Sequence, residues 1–344
     1  MNGKMHRPGA RRVTLRLVAR RADVDPSVVS RVINGDETLK IRDETRQRVL
    51  QAIEDLKYQP NAAARSLRTA RAGTLGLFIP DFGNPVYSAM IAGAEAAAAD
   101  EGLLIVTGTD EAAGRSKQGY LSLIGSGRVD GVLLAGGALS AAEQNHLKVA
   151  GVPYLLVNRR GRDVSRYVLL DDNGAARLAV RHLTELGHES IALIGGPGRT
   201  DTARRRRQGY LTAMRKAGLD TETPGSATGD YTPAGGYRAL MDLLDSGARP
   251  TAVLVANIMS AVGVTKAAEH RRIRVPEDLS VIAIHDMPLA GYLVPALTTV
   301  RMPLREMGDR AVRLLLSHDR TEPIRETVAE PMSLVVREST SAPR

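Results

Sequence analysis

Residues 24–35 read VDPSVVSRVING, and their order predicts a short helix. Asp25 stands where a carboxylate accepts the orphan N–H groups of a first helical turn, Pro26 suits the first helical position, and Asn34-Gly35 supplies the stop. The valines and Ile33 turn inward, while Ser27, Ser30 and Arg31 face outward. Upstream, Leu15, Val18 and Ala19 follow Thr14, an N-cap candidate, at helical spacing and predict a helix over 15–21. Downstream, Val49, Leu50, Ile53 and Leu56 share one face of a third helix at 43–57 and close a small three-helix core. Two short helices joined by the tight turn Ala22-Asp23-Val24 form a helix-turn-helix, whose second helix lies in the DNA major groove with N-terminal side chains on base edges. Arg31 has the fork that bonds guanine O6/N7 or a phosphate.

Charge is distributed in keeping with that reading. Residues 1–71 hold 16 Lys/Arg and 8 Asp/Glu, a net of +8, whereas the whole 344-residue chain carries +9. A basic folded module thus precedes an almost neutral body, the footprint of a polyanion-binding segment joined to a part with another task. The absence of cysteine excludes disulfides, thiolate metal sites and cysteine nucleophiles. Two Phe and no Trp leave few platforms for stacking single-stranded bases. No apolar run approaches the roughly 20 residues of a membrane span, and MNGKMHRPGARR lacks the apolar middle of a secretory signal, so a cytoplasmic location is expected.

From residue 74 the pattern changes. TLGLFIP, LLIVTG, GVLLAG, PYLLVN, SIALIGG, TAVLVAN and LSVIAI are short aliphatic runs separated by helical stretches, predicting a doubly wound α/β body of parallel strands. Such sheets bind ligands beyond their C-terminal strand ends. No Walker loop, GxSxG elbow or HExxH motif occurs, and IGGPGRT reads as a strand-to-helix turn, so neither an enzyme nor a cofactor is expected.

VTLRLVARRADVDPSVVSRVING, then ETRQRVLQAIEDLKYQPNAAARSLRTARAGTLGLFIPD, LTELGHESIALIGGP, RVPEDLSVIAIHD and LTTVRMPLREMG, resemble the LacI/GalR family of bacterial transcription repressors nearly end to end. The resemblance implies an all-α helix-turn-helix domain at 1–59, a hinge at 60–71 and an α/β core at 72–344 like periplasmic sugar-binding proteins. The core should divide into lobes of 72–170 with 300–327 and 171–299 with 328–340. It further implies a homodimer on a near-palindromic double-stranded operator, controlled by a small-molecule effector between the lobes. DNA contacts are expected from Thr14, Pro26, Ser27, Ser30, Arg31 and Asn34. In the hinge, Leu67 takes the role of a minor-groove wedge, with Asn61 and Arg65 near the backbone. Effector contacts are expected from Tyr87, Arg159, Asp171, Arg206, Tyr231, Asn257 and His285.

The chain departs from the family where specificity is set. Leu17 replaces the usual Asp, Asp23 the usual Gly and Val28 a common hydroxyl residue; the connection from Asn34 to Thr45 is longer than usual and places Lys40 and Arg42 within reach of phosphates. In the body, Ile258 and His285 replace two carboxylates that grip sugar hydroxyls. Arg159, Arg206 and His285 therefore point to a partly anionic ligand such as a sugar acid. The competing reading is a solute-binding protein without DNA function, against which the basic N-terminal module argues.

Overall fold

The computed structural model describes residues 13–58, 71–109, 123–136, 141–161, 164–221, 225–317 and 322–344. The chain divides into two compact units, Met1–Ala72 and Gly73–Arg344. The hinge candidates Asn61, Arg65 and Leu67 lie outside the described residues.

The first unit holds α1 (Leu15–Ala22), α2 (Pro26–Ile33) and α3 (Asp43–Asp55). Asp25 caps α2 by accepting the Ser27 N–H at 2.8 Å. Thr14 occupies the N-cap position of α1, yet its hydroxyl makes no capping bond. Asp23 ends α1 at φ 50°, in the left-handed region where a carboxamide or carboxylate side chain is tolerated in place of glycine. Val18, Ala19, Val29, Val32, Val49 and Ala52 form the core. Leu50 differs from expectation: it is 45% exposed, and Ala52 takes the inward position on α3. Leu39, from the connection between α2 and α3, packs into the same core.

The second unit begins with β1 (Thr74–Ile79), α4 (Val86–Asp100), β2 (Leu104–Thr109), β3 (Gly131–Leu134), α5 (Ala141–Ala150), β4 (Tyr154–Val157) and β5 (Arg166–Leu169). It continues with α6 (Asp172–Glu185), β6 (Ile191–Gly195), α7 (Asp201–Lys216), β7 (Ser226–Thr228), α8 (Pro233–Asp245), β8 (Ala252–Val255), α9 (Ile258–His270) and β9 (Ser280–Ile284). A 3-10 turn (Pro288–Tyr292), β10 (Thr298–Arg301), α10 (Leu304–Ser317), β11 (Ile324–Thr327) and β12 (Ser333–Val335) complete it. Two six-stranded sheets result, ordered β11-β5-β4-β3-β1-β2 and β12-β10-β9-β8-β6-β7. All the pairings are parallel except β10 with β12. Strands such as β8 and β9 are buried along their whole length because helices cover both faces, which is why they read as unbroken aliphatic runs.

The chain passes between the sheets three times: from β5 to β6, from β10 to α10, and from β11 to β12. The second passage lies just beyond the expected 299/300. Val300 and Arg301 remain in β10 of the second sheet, and the change comes at Met302-Pro303, before α10 packs on α4 of the first. That helix pair is close. A Cβ added at Gly93 would stand 1.9 Å from the Arg305 carbonyl oxygen, and one at Gly308 2.0 Å from that of Met90.

Candidate functional site

In the first unit, Ser27, Ser30, Arg31 and Asn34 follow one another at helical spacing along α2 and its C-cap. Ser27, Arg31 and Asn34 are exposed, with Pro26 and Ser30 half-buried beside them, so the residues picked from the sequence form one polar stripe. Arg31 is already engaged: its Nε donates to Asp36 Oδ2 at 2.7 Å and its Nη2 to Thr38 Oγ1 at 2.9 Å. Lys40 and Arg42 are exposed on the same connection.

In the second unit, the centre is Arg206 on α7, 3% exposed. Its Nε donates to Asp172 Oδ1 at 2.7 Å, its Nη1 to the Ala256 carbonyl, and its Nη2 to His285 Nε2 at 3.0 Å. Burial opposes the Arg206 charge most strongly, but Asp172, the Tyr231 and Tyr87 hydroxyls and the Asp172 hydrogen bond outweigh it and raise the pKa. Tyr87 opens α4 on the first sheet and Tyr231 follows β7 on the second, so both lobes contribute to the surroundings of one guanidinium.

His285 ends β9 at φ 72°, a left-handed conformation that an L side chain adopts only under tertiary constraint. Burial, then the neighbouring Arg206 charge, holds its pKa well below the ordinary histidine value. Since arginine cannot accept a hydrogen bond, His285 Nε2 is the acceptor and the ring proton resides on Nδ1. That Nδ1–H has no protein acceptor among the described residues.

Asn257 caps α9 by accepting the Ser260 N–H at 3.0 Å and donates to the Tyr231 carbonyl at 3.1 Å, thereby fixing Tyr231. Tyr231, at φ 69°, lies with its ring over Gly196, where a Cβ would meet the ring at 2.1 Å, and its hydroxyl is 3.3 Å from those of Thr200 and Thr202. Asp171 is the exception among the expected ligands. It caps α6 through the Gly174 N–H at 2.8 Å, with its side chain 45% exposed, and its neighbour Asp172 is the buried carboxylate of the cluster. Arg159 follows β4 and donates to the Gly136 carbonyl of the first lobe.

Asp172, Asp201 and Arg205 were not singled out by the sequence reading. Arg205 pairs with Asp172 at 2.6 Å and Asp201 at 2.9 Å, and reaches the Leu170 and Asn158 carbonyls at 2.6 and 3.2 Å; Asp201 accepts the Arg160 N–H at 3.0 Å. The bonds to Asn158 and Arg160 join α7 of the second lobe to the loop after β4 in the first. Among the buried groups of the cluster, Arg205 and Arg206 face Asp172 and Asp201 and His285 is neutral; the exposed Arg204 adds a third guanidinium 3.6 Å from Asp201. Arg206 thus has its charge met by Asp172 within the protein.

Residues 14–61 match the family model described as bacterial regulatory proteins, lacI family, and residues 180–340 match a periplasmic binding protein-like domain. The HTH-type transcriptional repressor PurR of Erwinia tasmaniensis is 35% identical over 307 residues, 88% of this chain and 89% of that protein. The ribose operon repressor of Escherichia coli K12 is 33% identical over 331 residues, 96% and 99% of the two chains. Among solved structures, the lac repressor dimer bound to operator and the anti-inducer ONPF superposes with TM-score 0.84 at 28% identity, covering 96% of this chain and 99% of that one. The CelR-cellobiose complex gives 0.71 at 32% identity, covering 95% and 100%. The chain belongs to the lacI family of bacterial regulatory proteins, sequence-specific DNA-binding regulators of transcription.

Proposed function

We propose that this chain is a transcriptional repressor that binds a near-palindromic operator as a homodimer, through the α2 stripe and the hinge at 60–71, and is controlled by an uncharged sugar bound between the core lobes. Pairing two copies of α2 on adjacent half-sites is the geometry by which a symmetric helix-turn-helix dimer reads a palindrome. Relatives named as a transcriptional repressor and an operon repressor, and a neighbour solved with cellobiose, support both halves of the reading.

The observation that carries the effector class is the pairing of the buried charges, Asp172 and Asp201 with Arg205 and Arg206 beside neutral His285, the exposed Arg204 apart. A carboxylate brought there adds an uncompensated charge in a desolvated place, whereas a hydroxyl or ring oxygen supplies the acceptor that the His285 Nδ1–H needs. The sugar controls DNA affinity only as far as it binds two arrangements of the lobes unequally, and it is released chemically unchanged.

Calorimetry with matched pairs tests this: ribose against ribonate and cellobiose against cellobionate, each followed by operator binding with the same compound. Neutral members should bind, with the acid of a binding pair at least tenfold weaker. Tighter binding of an acid than of its neutral partner overturns the effector class.

A further inference from the structure

Arg31 is the side chain of α2 best suited to reading a base, and it does not hang free. Its Nε and Nη2 donate to Asp36 Oδ2 and Thr38 Oγ1, at 2.7 and 2.9 Å. The acceptors are themselves locked: Asp36 Oδ1 accepts the Thr38 N–H at 2.9 Å and the Thr38 hydroxyl at 2.6 Å, and the Asp36 N–H donates to the Arg31 carbonyl at 3.1 Å. Leu39, buried in the three-helix core one residue further on, anchors the segment. All three residues belong to the connection between α2 and α3. We propose that Asp36 and Thr38 are positioning residues for operator recognition, holding the guanidinium so that its Nη1 side meets a base edge in one orientation. This rests on the reading of Arg31 as a base-contacting residue.

The physical grounds are independent of the operator's sequence. A flexible arginine loses much rotamer freedom when it forms a bidentate contact, and a side chain already fixed in the free protein loses less. Occupying Nε and one Nη2 hydrogen also leaves Nη1 and the remaining Nη2 hydrogen as the edge presented, which restricts the contacts Arg31 can make with wrong bases. A carboxylate on a DNA-facing surface is otherwise a liability, because it repels phosphates at every sequence alike. Asp36 thus weakens nonspecific binding while sharpening the specific contact, and the two effects can be separated by experiment.

The test uses the full chain and the operator recovered by selection from random duplex DNA, with equilibrium binding measured on every single-base variant and on random duplex. Asp36→Ala should bind random duplex several-fold more tightly and the operator more weakly, shrinking the specificity ratio at least tenfold, with the loss concentrated at the base pair where Arg31→Ala also loses preference. Thr38→Val, which keeps the Asp36 charge and the backbone N–H bond to Asp36, should lose preference at that same base pair without tightening random binding. Tighter binding of Asp36→Ala to both DNAs with an unchanged base profile overturns the proposal and leaves Asp36 a repelling charge only. Uniform weakening on both DNAs, with a lowered melting temperature and no change for Thr38→Val, overturns it in favour of a structural role. An unchanged profile in Arg31→Ala removes the base-reading role of Arg31, and the clamp with it.

Discussion

Arg206 shows how one buried charge organises a site. Its three directed bonds, to Asp172, Ala256 and His285, tie α6, β8 and β9 to α7. Replacement by alanine leaves Asp172 buried with only Arg205 beside it, so Arg206→Ala should destabilise the core by about 3 kcal/mol in urea unfolding. Lysine, a point charge without the planar fork, should recover little of this. Histidines give a pH signature. Burial, first among the causes, lowers the pKa of His182, His188 and His285, with Glu185 and the Ser341 carbonyl opposing it at the first two. The folded chain thus refuses protons that the unfolded chain accepts below about pH 6.5, and stability is lost as pH falls through that value. The melting temperature should drop between pH 7.5 and 5.5, and His188→Gln should flatten part of the slope. Arg206 could be picked out in the sequence, but Asp172 could not, since Asp171-Asp172 gives no sign of which carboxylate turns inward. Arg204 and Arg207 lie on the solvent face of α7 while Arg205 and Arg206 turn inward. The run RRRR conceals that division, which only the helix phase resolves.

Elements were legible where burial forces a pattern. The seven aliphatic runs became β1, β2, β3, β4, β6, β8 and β9, and the Asp25-Pro26 start and Asn34 end of α2 emerged because caps are written in side-chain chemistry. β5 escaped notice because it carries Arg166, buried against the carbonyls of Tyr154 and Glu322, and β7 because it is a three-residue polar edge strand. Leu50 broke the α3 pattern since a three-helix unit has too little interior to bury every apolar residue of a helix. The α4–α10 contact has its own test. Gly93→Ala places a methyl against the Arg305 carbonyl, where backbone must shift, and should cost about 3 kcal/mol of core stability by thermal or urea unfolding. An unchanged midpoint would show that the helices separate without penalty.

On the scale of the whole molecule, the core has two sheets joined by three passages and by side-chain bonds from α7 to the loop after β4. Arg205 and Asp201 make those bonds, so they stabilise one arrangement of the lobes relative to others. Arg205→Ala should therefore reduce the ratio of operator affinities with and without the proposed effector by about tenfold, read by titrating the operator at saturating and zero ligand. The central claim is sequence-specific recognition of a two-fold symmetric DNA site by this chain. Selection of bound sequences from random duplex DNA at near-physiological salt, where nonspecific phosphate binding is suppressed, addresses it most directly. The account predicts one enriched motif with two-fold symmetry, lost in Arg31→Ala and in Leu67→Ala. Recovery of an unenriched pool, both without ligand and with the proposed sugar effector, would contradict it.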